Sequence, residues 1–140
     1  MTDAASSLVA DASAIIDYLL RQPSADRIAR AIFADGVRVH APELIDSELL
    51  QVLRRLELSA TLGAWEAQQL RGFARELPLE LHPLRPHCDR VWSIRHCITV
   101  TDAYYVSLAE ALEAPLLTTD KRLARTVATM ESVRVIDLDD

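Results

Sequence analysis

Short runs of alternating apolar and polar residues, separated by stretches with a helical period, set out the order of elements along this chain. The pattern predicts a first strand in "SSLVAD", ending in Asp11, then a helix in "SAIIDYLLRQ". After Pro23 and Ser24 a second helix, "ADRIARAIFAD", is expected to close with Gly36 as its C-cap. "VRVHAP" alternates as a strand and leads into "PELIDSELLQVLRRL" (Pro42–Leu56), a helix with Pro early, Glu in its first turn and no internal Gly. A further helix is expected over 62–76, a strand in "LELHPL", and helices over 86–97 and 101–113. "APLLTTD" reads as a strand into a turn, "KRLARTVA" as a short helix and "VRVIDL" as the last strand. Strands alternating with helices imply an α/β fold, in which a mainly parallel central sheet is flanked by helices in three layers. At 140 residues the chain is expected to form a single domain over 1–140. Ligands of such sheets gather beyond the carboxyl ends of the strands, and both Asp11 and Asp120 follow strands onto that rim.

One position breaks the apolar pattern. Wound at about 100° per residue, Ile45, Leu49, Val52, Leu53 and Leu56 form a stripe, and Glu48 falls at its edge between Leu44 and Val52. A carboxylate there costs free energy unless something positive meets it. Arg55 shares the azimuth but lies two turns along, about 10 Å away. Asp102 has the same difficulty, because Val106 and Ala109 place it on the buried side of its helix. Capping is an alternative for three acids: Asp11 and Asp120 precede helices, and Asp102 lies in a first turn. Glu48, more than a turn inside its helix, resists that reading. Inward acids without matched bases repel one another. A hard divalent cation such as Mg²⁺ or Mn²⁺ removes the conflict through carboxylate oxygens. Asp17 and Asp46 read as solvated or paired, and Asp137, Asp139 and Asp140 as an acidic tail.

Composition narrows the classes. The net charge of −6 argues against bulk affinity for nucleic acid. Fourteen of the fifteen basic residues are Arg, however, the better fork for phosphate. Arg21, Arg27, Arg30, Arg54, Arg55, Arg122 and Arg125 are candidate contacts, each equally readable as part of a solvated helix face. Cys88 and Cys97 would stand on opposite faces of one helix, so they are expected to be reduced and structural. The four histidines have no ligand spacing along the chain and are taken as ordinary surface or core residues. The apolar run near the start is broken by Asp11 and Asp17, so neither a signal peptide nor a membrane span is expected, and the protein should reside in the cytoplasm.

The segments "LVADASAIIDYLL", "APELIDSELLQVLRRL" and "TVTDAYYVSLAEALEAPLLTTDKRLA" together resemble the PIN-domain ribonucleases, most closely the VapC toxins of toxin–antitoxin pairs. The order strand-Asp, helix-Glu, helix-Asp, strand-Asp runs over nearly the whole chain. The resemblance implies a PIN-like fold and an endoribonuclease whose clustered acids hold Mg²⁺ or Mn²⁺, leaving 5′-phosphate and 3′-hydroxyl ends. Carried across, Asp11, Glu48, Asp102 and Asp120 match the acidic quartet. Asp11 and Asp102 would be direct ligands; Glu48 and Asp120 would bind through water or serve a second ion. Ser13 matches a small hydroxyl residue of the site, Thr119 a Thr/Ser place before the last acid, and Arg95 a basic position that would contact phosphate. The resemblance also implies an RNA substrate, with tRNA and rRNA as candidates, a cognate antitoxin and a homodimer. Apolar residues of the first two helices (Ile15, Ile16, Leu19, Leu20, Ile28, Ile32, Phe33) could serve a partner groove, with core the default reading. Two other classes are alternatives. A receiver-type signalling domain needs an Asp ending a middle strand, where "VRVHAP" and "LELHPL" carry Pro. A non-catalytic interaction module would use the acids only as caps.

Overall fold

Strand β1 (Ser6–Ala10) lies inside the sheet because its last three residues, Leu8, Val9 and Ala10, are buried whichever face they point to. The computed structural model describes residues 6–138, so Asp139 and Asp140 of the expected tail lie outside the described residues. After β1 come α1 (Ala12–Leu19), α2 (Ala25–Ile32), β2 (Val37–Pro42), α3 (Leu44–Leu58), α4 (Ala64–Glu76) and β3 (Leu79–His82). A 3₁₀ turn (Arg85–His87) leads into α5 (Cys88–Ser93), followed by α6 (Val100–Leu112), β4 (Leu116–Leu117) and α7 (Lys121–Met130).

Among the described residues the sheet has four strands in the order β3-β2-β1-β4, and every pairing is parallel. Parallel neighbours need crossovers, which the helices provide, and both faces of the sheet are thereby covered. The result is the α/β architecture anticipated from the pattern. From β1 the chain turns outward through β2 and β3 on one side, and β4 later adds on the other. The strand order therefore reverses between β1 and β4. A crevice opens at such a switch point, flanked here by Asp11 and by the 118–120 segment. Helix α6 supplies Tyr105, Val106 and Leu108 to the core, where they join Ile15 of α1, Ile28 of α2 and Ile45 of α3. Most of the apolar positions of the first two helices are thus core; Phe33 is exposed and meets Tyr18 edge-on at 5.7 Å.

Four local expectations are corrected. Helix α2 ends at Phe33, whose N–H bonds Ala29, rather than at Gly36. Gly36 instead takes φ +75° in the turn into β2, a conformation in which a Cβ would be strained. The helix expected over 86–97 stops at Ser93, because Ile94 and Ile98 both turn inward from the connecting loop. Cys88 and Cys97 are accordingly free but exposed, and so are not core residues. The last strand is reduced to a single parallel bridge between Leu116 and Val135, since β4 offers only two residues to pair with. No helix among the described residues is long and apolar enough to cross a membrane.

Candidate active site

Asp11 sits at the carboxyl end of β1 and is buried. It is the N-cap of α1: Oδ1 accepts from the Ala14 N–H at 3.0 Å and from the Ser13 hydroxyl at 2.7 Å. Its other oxygen, Oδ2, accepts from the Thr118 hydroxyl at 2.5 Å. These donors favour the carboxylate, yet burial outweighs them and pushes its pKa up to about 6, with the Asp102 charge adding to the rise. A cap alone does not call for an acid here, because Asn or Ser caps as well without that penalty.

Glu48 projects from α3 into the same region, half-buried, and receives the Tyr105 hydroxyl on Oε1 at 2.5 Å. Burial raises its pKa, and the charges of Asp11 and Asp102 raise it further, against the lowering by Tyr105. Asp102 lies in the first turn of α6, where its N–H bonds the Thr99 N-cap oxygen at 3.3 Å. Burial is again the main cause of its raised pKa, with Asp120 adding repulsion and Arg122 opposing it. Asp120 caps α7, its Oδ1 accepting from the Arg122 and Leu123 N–H groups at 3.0 and 3.1 Å. Repulsion links the acids in pairs: Glu48 with Asp11 and Asp102, Asp11 with Asp102, and Asp102 with Asp120. Among the described residues no ion pair joins Asp11, Glu48, Asp102 or Asp120 to a basic side chain.

The donor set fits a hard divalent cation. Its oxygens are carboxylate oxygens, and their ionised forms are disfavoured by burial and by each other, which an ion of opposite charge would relieve. No three of these acids bring their oxygens within 4.8 Å of one another.

Comparison with known proteins decides the family. The PIN domain description matches residues 8–128. Ribonuclease VapC9 of Mycobacterium tuberculosis is 40% identical over 119 residues, covering 85% of this chain and 90% of the relative. Ribonuclease VapC1 of the same species is 37% identical over 120 residues, covering 83% and 87%. The chain belongs to the PIN-domain family, among the VapC ribonucleases. Its fold also matches two solved complexes at low identity. VapBC2 from Rickettsia felis, bound to a DNA fragment from its promoter, superposes with a TM-score of 0.66 at 13% identity, over 93% of this chain and 97% of that one. VapBC-1 from nontypeable Haemophilus influenzae gives 0.62 at 14%, over 96% and 99%.

In this PIN-domain chain the side chains around the acids come from α1, the segment after β4, and α6. Ser13 donates to Asp11 Oδ1 and lies 3.2 Å from the Thr118 hydroxyl. The strand-end hydroxyl that reaches Asp11 is that of Thr118, while Thr119, directly before Asp120, contributes its backbone N–H, which donates to Ser13 Oγ at 3.1 Å. Arg95 folds back over the Trp92 ring at 4.2 Å and donates to the Trp92 carbonyl, whereas the guanidinium that acts on Asp102 is that of Arg122. Tyr105 is a further residue that the sequence reading passed over. It is buried, and both burial and the bond to Glu48 raise its pKa, so at neutral pH the hydroxyl keeps the proton it donates. Tyr105→Phe leaves Glu48 Oε1 without that donor. The expected cost is about 1 to 2 kcal/mol, read by calorimetry as a Tm lower by roughly 3 to 8 °C, and divalent-metal affinity should fall by about 10- to 100-fold.

A second cluster lies on the β2–β3 side of the sheet. Parallel register sets His40 beside Glu80, with His82 two residues on. His40 Nδ1 lies 2.9 Å from His82 Nε2 and 3.2 Å from Glu80 Oε2. The histidines, taken from the sequence as ordinary surface or core residues without ligand spacing, are thus brought together in the case of His40 and His82, because spacing along the chain is uninformative where two strands pair. Burial lowers the pKa of His40, with Glu80 opposing, while the Arg38 hydrogen bond holds the Glu80 carboxyl low.

Proposed function

We propose that this chain is a metal-dependent endoribonuclease, the toxin of a type II toxin–antitoxin pair. It would hydrolyse RNA phosphodiester bonds at a Mg²⁺ or Mn²⁺ held by Asp11, Glu48, Asp102 and Asp120. The observation that carries this reading is Asp11: a buried carboxylate, its pKa pushed up to about 6, that feels the charges of Asp102 and Glu48 and has no ion-pair partner among the described residues. The ribonuclease names of its relatives point the same way. The capping reading accounts for the bonds to Asp11 Oδ1 and Asp120 Oδ1 but gives Glu48 and Asp102 no reason to be inward acids.

A bound divalent ion supplies a water of lowered pKa and polarises the phosphoryl oxygen. The chain's own residues prepare that site. Ser13 and Thr118 fix the two oxygens of Asp11, Tyr105 orients Glu48, and the Thr99 cap sets the first turn of α6 that presents Asp102. Arg122, exposed beside Asp102, is placed to meet a phosphate on the acidic rim, a role we assign to it ahead of Arg95. The acid quartet demands no covalent nucleophile. Residues 1–140 act as one domain in this reading, in the cytoplasm, as a homodimer held by a cognate antitoxin, with tRNA or rRNA as substrate. The antitoxin assignment draws on the VapBC complexes that share the fold.

Incubation of the purified protein with total cellular RNA tests the activity. With Mg²⁺ or Mn²⁺, discrete new ends bearing 5′-phosphate and 3′-hydroxyl groups are expected, and a chelator should remove them. Cleavage that persists in chelator would overturn the metal mechanism. Absence of new ends with either ion would overturn the nuclease reading for those RNAs.

A further inference from the structure

We propose that His40, Glu80 and His82 form a separate Zn²⁺ site that ties the edge strand β3 to β2. Three donor atoms, two imidazole nitrogens and one carboxylate oxygen, lie within 4.8 Å of one another, the two shorter separations being 2.9 and 3.2 Å. Zn²⁺ at about 2.0–2.2 Å from each of its tetrahedral ligands spaces them about 3.3 Å apart. Two His and one Glu with a fourth position left for water is a ligand set that zinc accepts, and it is softer than the all-oxygen set around Asp11.

The outward-facing atoms of the cluster are already engaged. Ser7 on β1 lies 3.1 Å from His40 Nε2, so a ring with its proton on Nε2 would donate there and turn the Nδ1 lone pair toward the cluster. Arg38 donates to Glu80 Oε1 at 3.0 Å through Nε, leaving Oε2 as the oxygen that faces His40. Such outer partners orient metal ligands. They come from β1 and β2, whereas two of the three ligands come from β3, whose four residues form the edge of the sheet. His40 is buried while Glu80 and His82 are only half-buried, so an ion could enter from that edge. His87, whose Nδ1 lies 2.8 Å from Ser107 Oγ on α6, feels the charge of His82 and is the next titratable group on this side. Nothing in the nuclease reading uses these residues, so the two assignments stand or fall separately.

Zn²⁺ binding to the full chain, measured by competition with a chromophoric chelator in excess Mg²⁺, tests the site. One equivalent is expected in the parent and in Asp11→Asn. Affinity should fall at least about tenfold in Glu80→Gln and His82→Asn. Saturating Zn²⁺ at about a hundred times Kd should raise the parent Tm by roughly 5 °C or more. Co²⁺, used as a spectroscopic probe, should give intense tetrahedral visible bands that His82→Asn removes. Should either variant fail to fold, ring ¹⁵N spectra of the parent decide: Zn²⁺ must shift the His40 and His82 nitrogens. No binding, binding lost in Asp11→Asn, binding unchanged in His82→Asn, or unshifted rings would each overturn the site and leave a hydrogen-bonded pair of histidines.

Discussion

Asp11→Asn should abolish RNA cleavage without weakening the fold. The expected loss is on the order of a thousandfold, equivalent to about 4 kcal/mol of transition-state stabilisation, within what a lost metal ligand removes. Stability should move the other way. Asn retains an oxygen for the Ala14 N–H and the Ser13 hydroxyl, and its amide could donate to the Thr118 oxygen. It also avoids ionising a buried acid. A carboxyl moved from 3.8 to about 6 carries a penalty at neutral pH of about 3 kcal/mol. In chelator near pH 7.5 the variant should therefore melt at or above the parent Tm. Retained cleavage, or a large fall in Tm alongside lost cleavage, would reduce Asp11 to a structural cap. Asp102→Asn, half-buried, should lose cleavage similarly with a smaller gain in stability.

Divalent metal should reshape how stability depends on pH. The folded-state pKa of Asp11 lies above its unfolded value, so the folded protein binds the extra proton and gains stability as pH falls from about 6 towards 3.8. Above about 6 the full penalty is present. Burial shifts Asp102 and Glu48 in the same direction. Glu80 and Glu110, held low by Arg38 and Arg90, act oppositely and lose their contribution as acid protonates them. Subtracting the profile of Asp11→Asn from that of the parent isolates the first effect. Mg²⁺, which has little appetite for imidazole, should raise the parent Tm near pH 7.5 by roughly 5 °C or more at a hundredfold excess over Kd. That rise should fade below pH 6, where protons compete for the same oxygens. A Tm increment equal in parent and variant, or constant across pH, would show that the ion binds elsewhere.

The element order was legible because each strand-to-helix change of period coincides with a turn residue or an acid, as at Asp11, Pro42 and Asp120. Glu48 was legible for a different reason: a carboxylate in an apolar stripe is a local contradiction, and contradictions of that kind mark sites. Helix ends were less so. The loop after Ser93 buries Ile94 and Ile98 without a helical spacing between its contacts, which no window of sequence separates from a continuing helix. Adjacent hydroxyls posed a question of phase. Thr118 and Thr119 differ by one position, and only the pairing of β4 with β1 decides which side chain reaches Asp11. Tyr105 reads as one more aromatic core residue until its hydroxyl is seen to end on Glu48. The His40–Glu80–His82 cluster was hidden most deeply. "LELH" carries two donors on one strand face, a signal available in the sequence, but the third lies across a parallel crossover containing α3 and α4.

The bond from Thr118 to Asp11 joins residues 107 positions apart. During synthesis β1 emerges early, yet the strand that completes its crevice comes off the ribosome only after six helices have been made. A nascent chain halted before that point would carry Asp11, Glu48 and Asp102 without Thr118 or Asp120. That edge of β1 therefore stays without its neighbour until residues 116–120 have been made.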